Sequence, residues 1–519
     1  MKDKFIKKEN LVYIILIIFS IFVGVILRFQ LSDIYSLNSD MIEHYYHMRQ
    51  YYDNKEIPVM GAYLVGGAYI ANEYDSNSEV FDESVPNIPG GYFYIEYMLY
   101  YFLGGGNLYK ARILYSVAMA LFCFIFLLWI FKTFGIKILA FISSIVFVNI
   151  TFLTIGNRFY NPHPAFMLSF ISIPIIIQYT VNKDNIYIYS ILIFPILALE
   201  AMSHMAVFFS IVPTIIVYLI IRWQKTKKYI ITFSIGVFIS FLLYLPYLIY
   251  EIQNNFPNFH DMINLRNTVK PIIQPPQIWS ILFFPTNEPN WNYGNGIAPI
   301  INHWFNGNPL LIFSFLFYII SIILGLSSFI ILLKDYFRKR LEEEENLIFK
   351  ETALIYILYI VLTIIIFMIL NLGAARARYF YNIFPLTFIP FIYLIKKFKN
   401  KKLYKLLLIY AFLNPLAVYI QMFHIYENEN KTGWNFMISH VEKIMEDAKD
   451  KSFDLSISTN DYYPYILLKT ENKNFRIDTN SDIKYYLISS LNKEFDSSNM
   501  SLIYSNKQYL TFKEYKNIK

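Results

Sequence analysis

The chain has 519 residues, 56% of them hydrophobic, and a mean hydropathy of +0.39. That is far more apolar than a soluble globular chain of ordinary make-up. The net charge of +7 is carried by short basic clusters between apolar segments. It does not form one basic face, so the charge reads as membrane topology and not as a nucleic-acid surface.

In chain order, the apolar stretches predict about eleven transmembrane helices at 11–28, 111–131, 138–156, 164–181, 187–201, 204–222, 229–250, 309–333, 352–372, 379–395 and 404–423. Most approach the ~17–25 residues that carry a helix across ~30 Å of hydrocarbon. The first run has no small-residue cleavage site after it and reads as a retained helix. Cys123 is the single cysteine, which excludes an intrachain disulfide.

Basic clusters around Lys2–Lys8, Lys132–Lys137, Lys183, Arg222–Lys228, Lys334–Arg340 and Lys396–Lys402 alternate with basic-poor loops. The positive-inside rule puts these clusters and the N-terminus in the cytoplasm. An odd number of spans then sends the C-terminus outside. The expected organisation is a transmembrane module, 1–423, with outer segments 29–110 and 251–308, followed by a soluble α/β domain, 424–519, on the outer face of the cell membrane.

Within 29–110, Asp40 to Arg49 is compatible with an acidic helix, and Tyr92–Leu103 is apolar but too short to span. It is expected to be an interfacial or re-entrant helix, despite Glu96 in its interior. The loop 251–308 is rich in Pro, Asn and Trp and suits an ordered lid at the membrane surface. In the tail, Trp434–Lys449 is helical in pattern, and Leu455–Ser458 and Tyr485–Ser489 are strand-like.

Candidate chemistry lies on the outer side. Asp40 and Glu43 are spaced i, i+3, which puts both carboxylates on one face of a helix. A fixed, partly desolvated carboxylate can take a proton from an acceptor hydroxyl or orient it, and an ordinary solvated helix face gives the same pattern. Arg158, Arg376 and Arg378 break the positive-inside rule. A guanidinium there can grip a phosphate bidentately, or can simply snorkel to the interface.

Glu200 and His204, spaced i, i+4 where the fifth span turns into the sixth, and His163 are further candidates for a substrate cavity. The turn is expected to place Glu200 and His204 in water. One His with one carboxylate is a weak ligand set, so no tightly held metal is expected. No phosphate-cradling Gly-rich strand–helix motif, zinc-type Cys pair or nucleophile elbow is present.

Four patches together resemble the C-type superfamily of polytopic glycosyltransferases, in its protein O-mannosyltransferase and aminoarabinose-transferase branch. They are Ser39-Asp40 opening a Tyr-rich helix; Pro89-Gly90-Gly91-Tyr92 through Gly104, with Ala111-Arg112 opening the next span; Arg158-Phe159-Tyr160-Asn161-Pro162; and Ala377-Arg378-Tyr379 followed by Pro385. The chain departs from that branch in having Asp40-Met41 for an acidic pair and Ile88-Pro89-Gly90 for a lysine before two prolines.

The resemblance implies Asp40 as the catalytic carboxylate and Arg378 as a contact to the carrier phosphate. It further implies a polyprenyl-phosphate sugar donor, inversion at the anomeric carbon, an acceptor glycan, lipid or protein hydroxyl, and no tightly bound metal or other cofactor. A flippase for a lipid-linked saccharide, or a glycan polymerase or ligase, would share much of this layout. The paired halves common in transporters are not visible in the sequence.

Overall fold

The computed structural model describes residues 10–32, 39–63, 86–149, 159–182, 186–268, 310–369, 377–399, 401–429, 434–449, 453–457, 482–489, 498, 500–505 and 509–515. The chain opens with α1 (Leu11–Ser32), α2 (Ser39–Asn54) and the strands β1 (Met60–Tyr63) and β2 (Asn87–Pro89). There follow α3 (Tyr92–Leu103), α4 (Leu108–Phe134), α5 (Ile136–Val146), α6 (Pro162–Val181) and α7 (Ile186–Ser203). Next come α8 (Met205–Phe209), α9 (Ile211–Ile221), α10 (Trp223–Thr226), α11 (Ile230–Gln253) and α12 (Pro257–Thr268). The helical part ends with α13 (Leu310–Phe337), α14 (Leu347–Ile369), a 3₁₀ segment (Ala377–Thr387), α15 (Phe388–Lys397) and α16 (Lys402–Glu429).

Among the described residues, eight helices are long and apolar enough to cross a membrane. The other predicted spans are shorter or broken, each for a local reason. In the 138–156 segment α5 stops at Val146, and its remaining apolar residues from 150 onward lie outside the described residues. The 204–222 segment breaks at Ser210, where the backbone turns to φ −122 and ψ −79 and the hydroxyl donates to the Ala206 carbonyl at 2.7 Å. The 379–395 segment runs as 3₁₀ up to Thr387, with Pro385 inside it, before α15 begins.

The bundle is built as a membrane protein must be. Large apolar side chains such as Ile18, Phe22, Phe124, Phe238 and Ile323 face outward, while serines, asparagines and threonines are buried between helices. Ser314 donates to the Ala417 carbonyl at 2.6 Å, Asn414 to the Ser144 carbonyl at 2.9 Å, and Ser321 shares a 2.6 Å hydrogen bond with Tyr410. Gly236 lets α11 and α7 touch, since a Cβ there would sit 2.4 Å from the Ile191 carbonyl oxygen.

The basic clusters in the described residues gather at one end of this bundle. Arg222 grips Glu351 through Nε at 2.9 Å and Nη2 at 2.8 Å, joining the end of α9 to the start of α14. Lys397 and Arg340 both pair with Asp335, which also accepts from Tyr393 at 2.8 Å. Lys225 donates to the last carbonyls of α6, Tyr179 at 2.6 Å and Thr180 at 2.9 Å, as a cation at a helix C-terminus should. Lys137 lies over Tyr13, and Tyr13 meets Tyr404 at 2.9 Å, which adds the starts of α1, α5 and α16 to the same end.

After α16 come α17 (Trp434–Ala448), β3 (Asp454–Ile457), β4 (Ile483–Ser489), β5 (Ser501–Ser505) and β6 (Tyr509–Tyr515). The sheet order is β3-β4-β6-β5, with β3 and β4 parallel and the other pairs antiparallel. Its small core holds Ile444, Ala448, Phe453 and Tyr485, and Asp447 accepts from Lys513 at 2.6 Å. The expected helix and strands of a small α/β unit are therefore present.

At the end opposite the basic clusters, the chain before α3 is packed too closely for a side chain. A Cβ on Gly91 would lie 1.9 Å from the Pro58 carbonyl oxygen, a backbone atom that cannot step aside. Gly91→Ala is expected to displace the β1–β2 ribbon and cost several kcal/mol, in the range of strained overpacking (~1–3 kcal/mol or more). A thermal melt of the purified variant, compared with the wild type, reads this directly.

Candidate functional site

The candidate site is assembled on the end of the bundle away from the basic clusters. Helix α2 carries Asp40 in its first turn, one turn before His44, and Glu43 directly before His44. His44 is buried, with its ring 5.0 Å from Phe93 and stacked at 5.9 Å on Tyr160. Tyr160 in turn packs edge-on against His163 at 5.3 Å. The acidic helix is thereby held, through Tyr160 two residues after Arg158 in the chain, against the N-terminus of α6.

A second clamp fixes α2 against α3. The buried Arg49 donates to the Tyr101 hydroxyl at 2.7 Å and to Asp53 at 3.0 Å, and its guanidinium lies 5.3 Å from the Tyr101 ring centre. Behind this, β1 and β2 pair antiparallel, and Asn258 of α12 donates to the Asn87 carbonyl at 3.0 Å and to Tyr247 at 2.9 Å. Residues 251–268 are thus tied to the first outer segment. The tryptophan-rich remainder of the expected lid lies outside the described residues.

The 3₁₀ segment bearing Arg378 reaches the same region from the other side. Asn382 donates to the Ser210 hydroxyl at 3.2 Å and accepts from Tyr359 at 3.1 Å, while Phe384 packs on Phe166 of α6 at 5.0 Å. The backbones carrying Asp40 and Arg378 therefore both converge on the first turns of α6. Arg158 and Arg376 lie outside the described residues, and so do the side chains of Asp40, Glu43 and Arg378.

Glu200, His204 and His163 occupy this end too, and Glu200 and His204 are not in water as the turn between the spans suggested. Glu200 is 0% exposed and His204 7%, and His163 is also buried. The reason is that α7 runs on to Ser203 and the chain re-enters a helix at Met205. The His204 N–H still bonds the Glu200 carbonyl at 3.0 Å, so the turn is a tight corner inside the bundle and not a loop. Among the described residues, the polar group that meets the Glu200 carboxyl is the Ser172 hydroxyl of α6.

Glu96 is the functional candidate that pattern reading placed but did not weigh. It is buried on α3, bonded to the Tyr92 hydroxyl one turn earlier, with Oε2 unpartnered among the described residues. Burial pushes its carboxyl up to about 8, against an opposing pull from the Tyr92 hydrogen bond. The Tyr92 hydroxyl feels both Glu96 and Glu200, so α3 and α7 bring two carboxyl groups to one neighbourhood. The available signal was an acidic residue within an otherwise apolar twelve-residue helix.

A raised carboxyl pKa has a definite consequence for stability. Between the ordinary value of 4.5 and about 8, the folded chain keeps a proton on Glu96 that the unfolded chain has lost. Stability from this group therefore falls as pH rises through that window and is flat below it. The thermal midpoint of the wild type is expected to drop by a few degrees between pH 5 and 8, and Glu96→Gln should remove that part of the drop. Identical pH profiles for the two proteins would show that Glu96 ionises normally.

No protein-family model matches the chain. No curated protein matches it in sequence either. Among solved structures, ArnT from Cupriavidus metallidurans in the apo state superposes with a TM-score of 0.54 at 9% identity, covering 96% of this chain and 98% of that one. The same protein bound to undecaprenyl phosphate gives 0.50 at 10% identity, covering 96% and 97%. An oligosaccharyltransferase from Archaeoglobus fulgidus gives 0.49 at 10% identity, covering 90% of this chain and 64% of that one. The resemblance read from the four short patches thus extends to the architecture, and over nearly its whole length the chain has the multi-pass helical fold of ArnT.

Proposed function

We propose that the protein is a membrane glycosyltransferase that moves a sugar from a polyprenyl-phosphate carrier to an acceptor hydroxyl on the outer face of the cell membrane. The observation that carries this reading is the near-complete fold correspondence with ArnT, one structure of which holds undecaprenyl phosphate. The convergence of the Asp40 helix and the Arg378 segment on the start of α6 agrees with it.

In this reading the Asp40 carboxylate, with Glu43 one turn along, activates the acceptor hydroxyl. The hydroxyl oxygen attacks the anomeric carbon opposite the leaving phosphate, so the configuration inverts. The bond to the carrier phosphate breaks, the electron pair leaves with the phosphate oxygen, and the acceptor proton goes to the carboxylate. Arg378, with Arg376 and Arg158, stabilises the charge that develops on the phosphate, which is often the larger contribution. Glu200, His204 and His163 are buried polar groups behind the substrate cavity, and no metal or other cofactor takes part.

The topology that goes with this places the basic end in the cytoplasm and the C-terminal α/β unit outside, where it helps receive the acceptor. The test is transfer of a radiolabelled sugar from a synthetic polyprenyl phosphate to a membrane acceptor fraction by the purified protein. Product with an inverted anomeric linkage supports the reading. Carrier-linked sugar that crosses sealed vesicles without being transferred would make the protein a flippase instead.

A further inference from the structure

We propose that the groove between α7, α9 and α11 is a docking site for one anionic phospholipid, drawn from the leaflet at the basic end of the bundle. The groove has a volume of about 530 Å³ and is lined by Phe194, Ile220, Trp223, Val237, Phe238 and Phe241 among others. It opens sideways towards lipid, since Ile220, Val237 and Phe238 are 63%, 50% and 58% exposed. A wall this apolar, on a helix long and apolar enough to cross a membrane, suits a hydrocarbon chain.

Two features choose the kind of lipid. Along α11 the lining runs from Ile230 to Phe241, which at 1.5 Å per residue is about 17 Å. That is close to one leaflet, half of the ~30 Å hydrocarbon core, and suits an acyl chain that enters from one side. Its mouth is formed by Trp223, Thr226 and Ile230, and between the last two lie the exposed Lys227 and Lys228.

The neighbouring cations are already committed to the protein. Arg222 is gripped by Glu351, and Lys225 caps α6. Lys227 and Lys228 have no carboxylate partner among the described residues, and the nearby Glu342 is paired with Lys350. Beside the mouth, then, stand two exposed lysines without a carboxylate partner among the described residues, with Trp223 at the interface where a tryptophan is favoured. A phosphatidylglycerol-like headgroup matches that arrangement in charge; a zwitterionic headgroup matches it less well.

The inference is separate from the transfer reaction and is read by binding alone. The full-length protein in detergent would be incubated with equal amounts of phosphatidylglycerol and phosphatidylcholine, and bound lipid counted by native mass spectrometry. Phosphatidylglycerol should be retained in preference. Each basic residue at an anionic surface is worth about five-fold, so Lys227→Gln with Lys228→Gln should reduce retention about 30-fold. Val237→Trp, which fills the slot without touching charge, should also release the lipid, while both variants keep the wild-type thermal midpoint. Equal retention of the two lipids, or phosphatidylglycerol binding that survives either variant, would overturn the proposal. One-for-one displacement by a polyprenyl phosphate would also overturn it and give the groove to the carrier.

Discussion

Asp40→Asn is expected to lower sugar transfer by about 10²–10⁴-fold, the usual range for a positioned general base, while the protein still inserts and folds. The change removes the proton acceptor and keeps the shape. Asp40 lies in the first turn of α2, whose attachment to α3 and α6 is made further along by His44 and Arg49. Size-exclusion profile and thermal midpoint should therefore match the wild type. Transfer by the purified variant at the wild-type rate would remove Asp40 from the mechanism. Glu43→Gln is the companion, and a smaller loss there would make Glu43 an orienting group.

Arg378→Ala should reduce kcat/KM for the donor by about 10²–10³-fold, comparable to losing one donor to a developing oxyanion. The acceptor KM should hardly change, because the proposed contact is to the carrier phosphate. Arg378→Lys keeps the charge but loses the planar fork, so only partial recovery is expected. An unchanged donor kcat/KM would count against the assignment. Arg378 sits near the start of the 3₁₀ segment, away from its anchors at Asn382 and Phe384, so its loss should leave the packing of that segment on α6 intact.

The membrane class and most of the helices were legible because hydrophobic runs separated by basic clusters are a long-range signal that local packing does not disturb. Contacts in the structure bear this out in detail: Arg222 with Glu351 and Lys397 with Asp335 tie together cations assigned to one side from sequence alone. Interruptions within runs were harder to read. The break at Ser210 has a local marker in Pro213, which cannot donate to the Phe209 carbonyl and sits in the first turn of α9, but the apolar run hides it; the 3₁₀ path of Ala377–Thr387 goes with its packing against α6.

At the candidate site, composition marked the unusual residues but not their surroundings. Glu200 and His204 stand out as ionisable groups in an apolar stretch, yet their burial depends on α8 resuming the helix directly after the corner. His44 and Tyr160 look ordinary in sequence; only the fold shows that their stacking joins the acidic helix to the start of α6. Glu96 acquires its raised proton affinity from being walled in on α3, which spacing alone does not reveal.

The most direct test is a cryo-electron microscopy map of the protein with a polyprenyl phosphate. The phosphate is predicted to lie at the end of the bundle away from the basic clusters, within hydrogen-bonding distance of Arg378, in a hollow that also receives the Asp40 carboxylate. A map in which Asp40 and Arg378 open onto separate surfaces, or in which the phosphate sits elsewhere, would contradict the enzyme reading.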